Sequence, residues 1–309
     1  MIVTVTMNPA VDKTVEIERL LPGGLNRIRK VEYDAGGKGI NVSKTIQKFG
    51  GSSVATGFLG GNTGKTIENV LKNQKISCDF VWVDGETRTN TKVFEKNGAV
   101  TELNEPGPVI ADAKLLELLE KLDRLSGPET LFVLAGSVPV GVDKHIYGDM
   151  IRLVKKKGGK VLLDADGELF RYGLEAGPDM IKPNRVELEE YAGFQREASE
   201  KELLKFVRRL LDRGMEAAAV SMGKDGALLV FPGRQVKCPA LSVKAHSTVG
   251  AGDAMVAALA FARDKGMETE ETIRLCMAAG AGAVTTVGTK PPSMELVRKL
   301  MEQVEISDI

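Results

Sequence analysis

Short β-branched and apolar runs alternate with amphipathic stretches along most of this chain. The runs are Ile2-Val3-Thr4-Val5-Thr6, Ser53-Val54-Ala55-Thr56, Leu131-Phe132-Val133-Leu134, Lys160-Val161-Leu162-Leu163 and Ala217-Ala218-Ala219-Val220. Between them, Leu115 to Leu125, Tyr147 to Lys157 and Glu200 to Arg213 carry helical periodicity. Near-continuous apolar strands separated by helices are what a parallel sheet buried on both faces requires, so the pattern predicts an α/β fold with a mostly parallel central sheet between helical layers. Two regions break the rhythm: Thr14 to Asp34 and Phe80 to Leu103. In the second, Phe80-Val81-Trp82-Val83 and Asn90-Thr91-Lys92-Val93-Phe94 alternate about a turn at Asn97-Gly98. They predict a small accessory sheet, its strands inserted at about 14–34 and 80–103 into a single unit spanning 1–309, with Trp82 and Phe94 packing that sheet.

Charge places ligand recognition locally. Lys plus Arg and Asp plus Glu both number 42, so no net field draws nucleic acid or an anionic membrane surface. Cys78, Cys238 and Cys276 are odd in number and form no Cys-x-x-Cys pair, which argues against a disulfide framework or a thiolate zinc site and suits a reducing cytoplasm. No basic segment precedes a long apolar run at the N-terminus, and no stretch approaches about 18 apolar residues. Neither secretion nor a membrane span is expected.

Glycine placement then becomes informative, since glycine admits positive φ and close backbone approach. Asp34-Ala35-Gly36-Gly37-Lys38-Gly39-Ile40-Asn41-Val42-Ser43 reads as a glycine turn opening a helix. Unpaired N–H groups at such a helix start suit an anion or sugar hydroxyls, and Lys38 and Asn41 add a charge and an amide. Further on, Gly250-Ala251-Gly252-Asp253 precedes Met255 to Ala262, apolar almost all round, so a buried helix should begin at these glycines. Asp253 has two readings there. As a cap it favours the helix dipole, worth about 0.5–2 kcal/mol. As a general base it takes the proton of an attacking hydroxyl, while the N–H groups of Ala251, Gly252 and Asp253 hold a transferring phosphoryl group. Two glycines flanking a small residue favour the second reading, because a plain cap needs no such clearance.

Two motif-like segments carry no such weight. Gly60-Gly61-Asn62-Thr63-Gly64-Lys65-Thr66 misses a Walker loop because Leu59 stands where its first glycine belongs, and Gly250-x-Gly252 lacks the third glycine of a dinucleotide fingerprint, Met255 standing there. His145 and His246 have no partner at a metal spacing, so no histidine-based triad or metal site is predicted. Lys155-Lys156-Lys157 ends a helical pattern and complements its negative end.

The chain resembles the ribokinase-like carbohydrate kinases, in their phosphosugar-kinase branch. Both hallmark segments are present in order, Gly36 to Ser43 and Ser247-Thr248-Val249-Gly250-Ala251-Gly252-Asp253. Thr6-Met7-Asn8-Pro9-Ala10-Val11-Asp12, Thr87-Arg88-Thr89-Asn90, Ala135-Gly136-Ser137-Val138-Pro139 and Lys182-Pro183-Asn184 are similar to the same branch, so the likeness runs over essentially the whole chain. Gly23-Gly24-Leu25-Asn26-Arg27 with Gly37-Lys38-Gly39 is most like the bacterial 1-phosphofructokinases, which phosphorylate fructose 1-phosphate at O6. Tagatose-6-phosphate kinases and minor-type 6-phosphofructokinases are close relatives. The resemblance implies a three-layer α/β/α kinase with the accessory sheet as a lid, ATP as donor with Mg²⁺, and lids able to pair two subunits into a homodimer. A silent sugar-phosphate sensor on the same fold is the competing class, and it usually carries a damaged Gly-x-Gly-Asp segment. Here that segment is intact.

Residue by residue, the resemblance implies a catalytic centre of Gly250, Ala251, Gly252 and Asp253. Asp12, placed at the carboxyl end of the first strand, would meet sugar hydroxyls with Gly37, Asn41 and Asp253. Lys38, Arg88 and Arg27 would neutralise the phosphate already on the substrate, joined by Ser137. Lys182, Asn184, Ser221, Gly223, Gly226, Thr248, Gly250 and Gly252 would line the nucleotide side, with Gly282 in a flat apolar wall for adenine running from Ala279 to Thr286. The glycines of Ser221 to Gly226 also read as a plain hairpin turn, and those of the wall as helix packing. Asn184 and Glu187, three apart at a helix start, would position water ligands of Mg²⁺; the same spacing also makes a capping box.

Overall fold

The computed structural model describes residues 1–286 and 288–309. Its central sheet runs, edge to edge, through β15 (Ser307–Asp308), β14 (Arg234–Cys238), β13 (Ala227–Phe231), β12 (Ala217–Ser221), β11 (Met180–Ile181), β10 (Lys160–Asp164), β9 (Leu131–Ala135), β1 (Ile2–Thr6), β4 (Ser53–Gly60) and β5 (Ser77–Cys78). A further strand, β6 (Val81–Val83), also pairs with β4. Every pairing from β12 to β5 and β6 is parallel, and the last three strands are added antiparallel at one edge.

Parallel strands at the middle of a sheet send successive side chains into two different cores, so both must be apolar. In β9, Leu131 and Val133 join one core while Phe132 and Leu134 join the other. The first core is closed by α1 (Lys38–Lys48), α8 (Ala251–Lys265), α9 (Thr269–Ala283) and α10 (Met294–Met301). The opposite core is closed by α3 (Asp112–Leu125), α4 (Ile146–Lys156), α5 (Gly167–Glu175), α6 (Arg185–Ala192) and α7 (Glu200–Leu211). The remaining helix, α2 (Gly61–Asn73), sits with β4 and β5 beneath the accessory sheet. As its composition predicts, α8 is buried from Asp253 through Ala262. Among the described residues no helix is long and apolar enough to cross a membrane.

The accessory sheet has the order β3 (Lys30–Gly36), β2 (Ala10–Ile17), β7 (Arg88–Glu95) and β8 (Val100–Asn104). Two hairpins from distant parts of the chain are joined by the parallel pair β2–β7. Register gives this sheet two unlike faces. Tyr33, Lys13, Thr91 and Leu103 form one row across it, and Asp34, Asp12, Asn90 and Asn104 form the adjacent row, which points the other way. The sequence reading needs correction at two places. The first insertion starts at Ala10 rather than Thr14, and Phe80 to Val83 does not belong to this sheet. Val81–Val83 extends the central sheet beside Phe58–Gly60, where Trp82 stays 36% exposed. Alternation shows that a segment is extended; it does not say which sheet takes it.

Candidate active site

The loops that leave the carboxyl ends of β1, β9, β10 and β11 converge, as ligand-binding loops do in open α/β sheets. The glycine turn after β3 serves close packing. A Cβ at Gly39 would stand 2.5 Å from Thr6 Oγ1 and 3.0 Å from the Val5 carbonyl oxygen, and one at Gly36 would overlap the Asp12 carboxylate. Lack of side chains lets α1 press its first turn onto the end of β1, which delivers Lys38 and Asn41 to the convergence.

Asp253 arrives from the far end of the chain. Gly250 opens α8 in the left-handed region (φ +85°), and no side chain caps this helix. Among the described residues the N–H groups of Ala251, Gly252 and Asp253 have no backbone partner, and the first helical bond runs from Ala254 N to Gly250 O, 2.9 Å. Asp253 does not act as a cap. Its Oδ2 accepts a hydrogen bond from Asn41 Nδ2 at 2.8 Å, joining the two glycine segments across 212 residues. Only 8% exposed, the Asp253 carboxyl is pushed up to about 6 by burial and next by the charge of Asp164, while Asn41, Lys38 and Lys182 pull it the other way.

Asp164 ends β10 and is almost fully buried. Its Oδ2 lies 3.4 Å from Lys38 Nζ and its Oδ1 lies 3.3 Å from Lys182 Nζ. The Lys182 ammonium also lies against Gly252, 3.1 Å from where a Cβ would be. Burial opposes the charge of Lys38, yet Asp164, Asp253 and Glu187 hold its ammonium above the ordinary value. Asn184 and Glu187 do form the capping box of α6: Asn184 Oδ1 accepts from Glu187 N at 2.9 Å and Glu187 Oε2 accepts from Asn184 N at 2.8 Å. Burial raises the Glu187 carboxyl, and its Oε1 has no hydrogen bond among the described residues.

The polar face of the accessory sheet closes over this centre. Asp12 stands within β2 rather than at the end of the first strand, over Gly36 and beside Asn90, and burial pushes its carboxyl above the ordinary value against the pull of Lys92. Arg88 begins β7, donating from Nη2 to Asn8 O at 3.0 Å and from Nη1 to Glu105 O at 3.2 Å. Asn41 Oδ1, Asn90 Oδ1, Arg88 Nε and both Asp164 oxygens are buried without a hydrogen-bond partner among the described residues. Orphaned polar atoms cost free energy unless a ligand completes them.

A sequence model described as pfkB family carbohydrate kinase matches residues 2–296. The chain belongs to this family. It is 37% identical to the 1-phosphofructokinase of Haloferax volcanii over 100% of this chain and 99% of that protein. It is equally 37% identical to the D-tagatose-1-phosphate kinase of Bacillus licheniformis over 91% of each. The structure of phosphofructokinase-2 from Escherichia coli in complex with substrates and products matches with a TM-score of 0.91 and 28% identity, covering 98% of both chains.

Other expected residues of this pfkB kinase are more scattered. Ser137 is exposed just past β9, one residue from Gly136, whose vacant Cβ position lies 3.5 Å from Lys38 Cβ. Ser221 ends β12, its N–H bonded to Pro183 O at 3.0 Å, so it shares the edge with Lys182 and Asn184. Gly223 and Gly226 both take positive φ in the β12–β13 hairpin, and Thr248 is exposed just before Gly250. Arg27 is exposed in the β2–β3 loop. Gly282, expected in an adenine wall, is buried, and Pro292 lies 2.9 Å from where its Cβ would stand. It is a packing glycine. The Walker-like loop cannot take a phosphate either, since Glu86 already accepts from Asn62 N at 3.1 Å and Thr63 N at 3.0 Å at the start of α2. Asp164 and Asn90 are the members of the site that sequence reasoning missed. Asn90 was within reach, because it faces the same side as Arg88 two residues earlier on a strand.

Proposed function

We propose that this pfkB kinase transfers the γ-phosphoryl group of ATP to O6 of fructose 1-phosphate, giving fructose 1,6-bisphosphate, with Asp253 as the general base. The observation that carries the reading is the buried Asp253 carboxylate, held by Asn41 at the uncapped start of α8. A carboxylate raised to about 6 is ionised at neutral pH yet basic enough to take a hydroxyl proton. As O6 bonds to the γ-phosphorus, its proton passes to Asp253 and the bridging P–O bond breaks, ADP leaving with the electron pair. The N–H groups of Ala251, Gly252 and Asp253, with Lys182, face the negative charge of the transferring group. Asp12, Gly37, Asn41 and Asn90 hold the sugar hydroxyls, and Lys38, Arg88, Arg27 and Ser137 hold its phosphate. Asn184, Ser221, Gly223, Gly226 and Thr248 border the nucleotide side.

The charge inventory fits a divalent cation. Asp164, Asp253 and Glu187 outnumber Lys38 and Lys182 before any phosphate arrives. Mg²⁺ supplies phosphate neutralisation, and Asn184 and Glu187 suit it only through water, because the capping box already engages both. Glu187 Oε1 is the atom left for that.

Both 37% relatives are named for a ketose 1-phosphate, which favours the 1-phosphate position and makes tagatose 1-phosphate, the C4 epimer, the second reading. ADP release with fructose 1-phosphate, tagatose 1-phosphate, tagatose 6-phosphate and fructose 6-phosphate tests it. The highest kcat/KM is expected for fructose 1-phosphate; preference for either 6-phosphate overturns the assignment, and ligand binding without turnover favours a sensor.

The outer row of the accessory sheet exposes two large apolar side chains, Tyr33 at 64% and Leu103 at 60%, which supports pairing of two such sheets in a homodimer. Sedimentation should show a dimer, with Tyr33→Glu plus Leu103→Lys shifting it to monomer. A monomeric wild type removes that proposal.

A further inference from the structure

We infer that Asp164 is a positioning residue that holds Lys38 and Lys182 in place together, the first beside the sugar phosphate and the second beside the phosphoryl donor. The inference rests on the reading of Asp253 as the base. Asp164 is the last residue of β10, near the middle of the central sheet, in register with Ala135. Its backbone carbonyl accepts from Gly136 N at 3.0 Å, so its placement is fixed by the sheet itself. From there one oxygen addresses a lysine of the first glycine turn and the other a lysine that lies against Gly252.

Two features separate this carboxylate from a stabilising buried ion pair. First, neither of its two cations comes closer than 3.3 Å, whereas Asp179, a buried acid outside the site that also meets two lysines, holds one at 3.0 Å and the other at 3.4 Å. Both its oxygens are also without a hydrogen bond among the described residues. Elsewhere in the same chain Lys44 meets Asp34 at 2.7 Å and Lys121 meets Asp79 at 2.6 Å, so close pairs are readily built. A loosely held ammonium group keeps N–H donors to turn toward a phosphate oxygen, while the shared carboxylate keeps two buried cations from repelling each other out of place.

The charged groups facing Asp253 are Lys38 from α1, Asp164 from β10 and Lys182 from the loop after β11. Asp164→Asn therefore removes the neighbouring negative charge. The acid limb of kcat/KM should move to lower pH by about half a unit or more, and KM for both the sugar phosphate and ATP should rise. Asp164→Glu keeps the charge and moves it by a methylene, so it should raise both KM values while leaving the acid limb in place. Double-mutant cycles with Lys38→Met and Lys182→Met should each be non-additive. An unmoved acid limb in Asp164→Asn, coupling to only one lysine, or a change confined to Mg²⁺ dependence overturns the inference. Should Asp164→Asn fail to fold, Asp164→Glu decides by its two KM values. An active Asp253→Asn enzyme would instead remove the base assignment, an outcome separable from all of these.

Discussion

Asp253→Asn is expected to lower kcat by about 10²–10⁴-fold and, at pH 8, to make the protein more stable. The two effects share one cause. In the fold the Asp253 carboxyl sits at about 6 against an ordinary 3.8, because burial, and then Asp164, disfavour its charged form. The unfolded chain ionises freely from about 3.8 upward, so ionisation penalises the folded state: fully above about 6, progressively less as pH falls between those values, and not at all below 3.8. A shift of this size corresponds to roughly 2–3 kcal/mol. Asparagine keeps the shape and can still accept from Asn41 while removing the charge. Chemical denaturation at pH 8 and pH 4 should show the variant more stable at the first and nearly equal at the second. Retained turnover would remove Asp253 from the mechanism, and equal stability at pH 8 would show its carboxylate to be unstrained.

Gly57→Ala should cost at least about 4 kcal/mol, enough to deplete the folded protein. Gly57 sits opposite Thr6 in the β1–β4 pair, at φ +132°, a conformation that L side chains rarely adopt. A Cβ there would overlap the Thr6 carbonyl oxygen, which is backbone and has no rotamer by which to yield. Thr6 in turn lies against Gly37 and Gly39, so any retreat of β1 from β4 displaces the start of α1 with Lys38 and Asn41. Surviving protein should therefore bind sugar phosphate weakly as well. The denaturation midpoint and the KM for fructose 1-phosphate measure the two parts, and wild-type values for both would contradict the packing described.

The central sheet was legible because a strand buried on both faces leaves no polar position to obscure the run. Accessory strands exposed on one side left weaker marks, and Val81–Val83 was assigned to the wrong sheet because pairing partners are not written in alternation. Asn41 and Asp253 stood out beside their glycines, but a second use of the first set was not legible: Gly36 and Gly39 also clear space for Asp12 and β1. Asp164 gave no local signal. It closes the Lys160-Val161-Leu162-Leu163 run as an ordinary acid, and its importance comes from lysines that only the folded sheet brings to it. Asn184 and Glu187 show the opposite difficulty, a spacing that both a cap and a metal-water site would use, where the cap is what forms.

The bond between Asn41 and Asp253 has a bearing on synthesis. β1, β9 and β10 all lie in the first two-thirds of the chain, whereas Asp253, the proposed base, rides on α8, which packs against α1 and α9. A nascent chain that has already paired these central strands carries Lys38 and Asn41 but neither Asp253 nor the amides that open α8. Phosphoryl chemistry begins only when the last third docks. Copies left unfinished or clipped before residue 250 are thus expected to leave ATP untouched, so that incomplete molecules cannot waste the nucleotide.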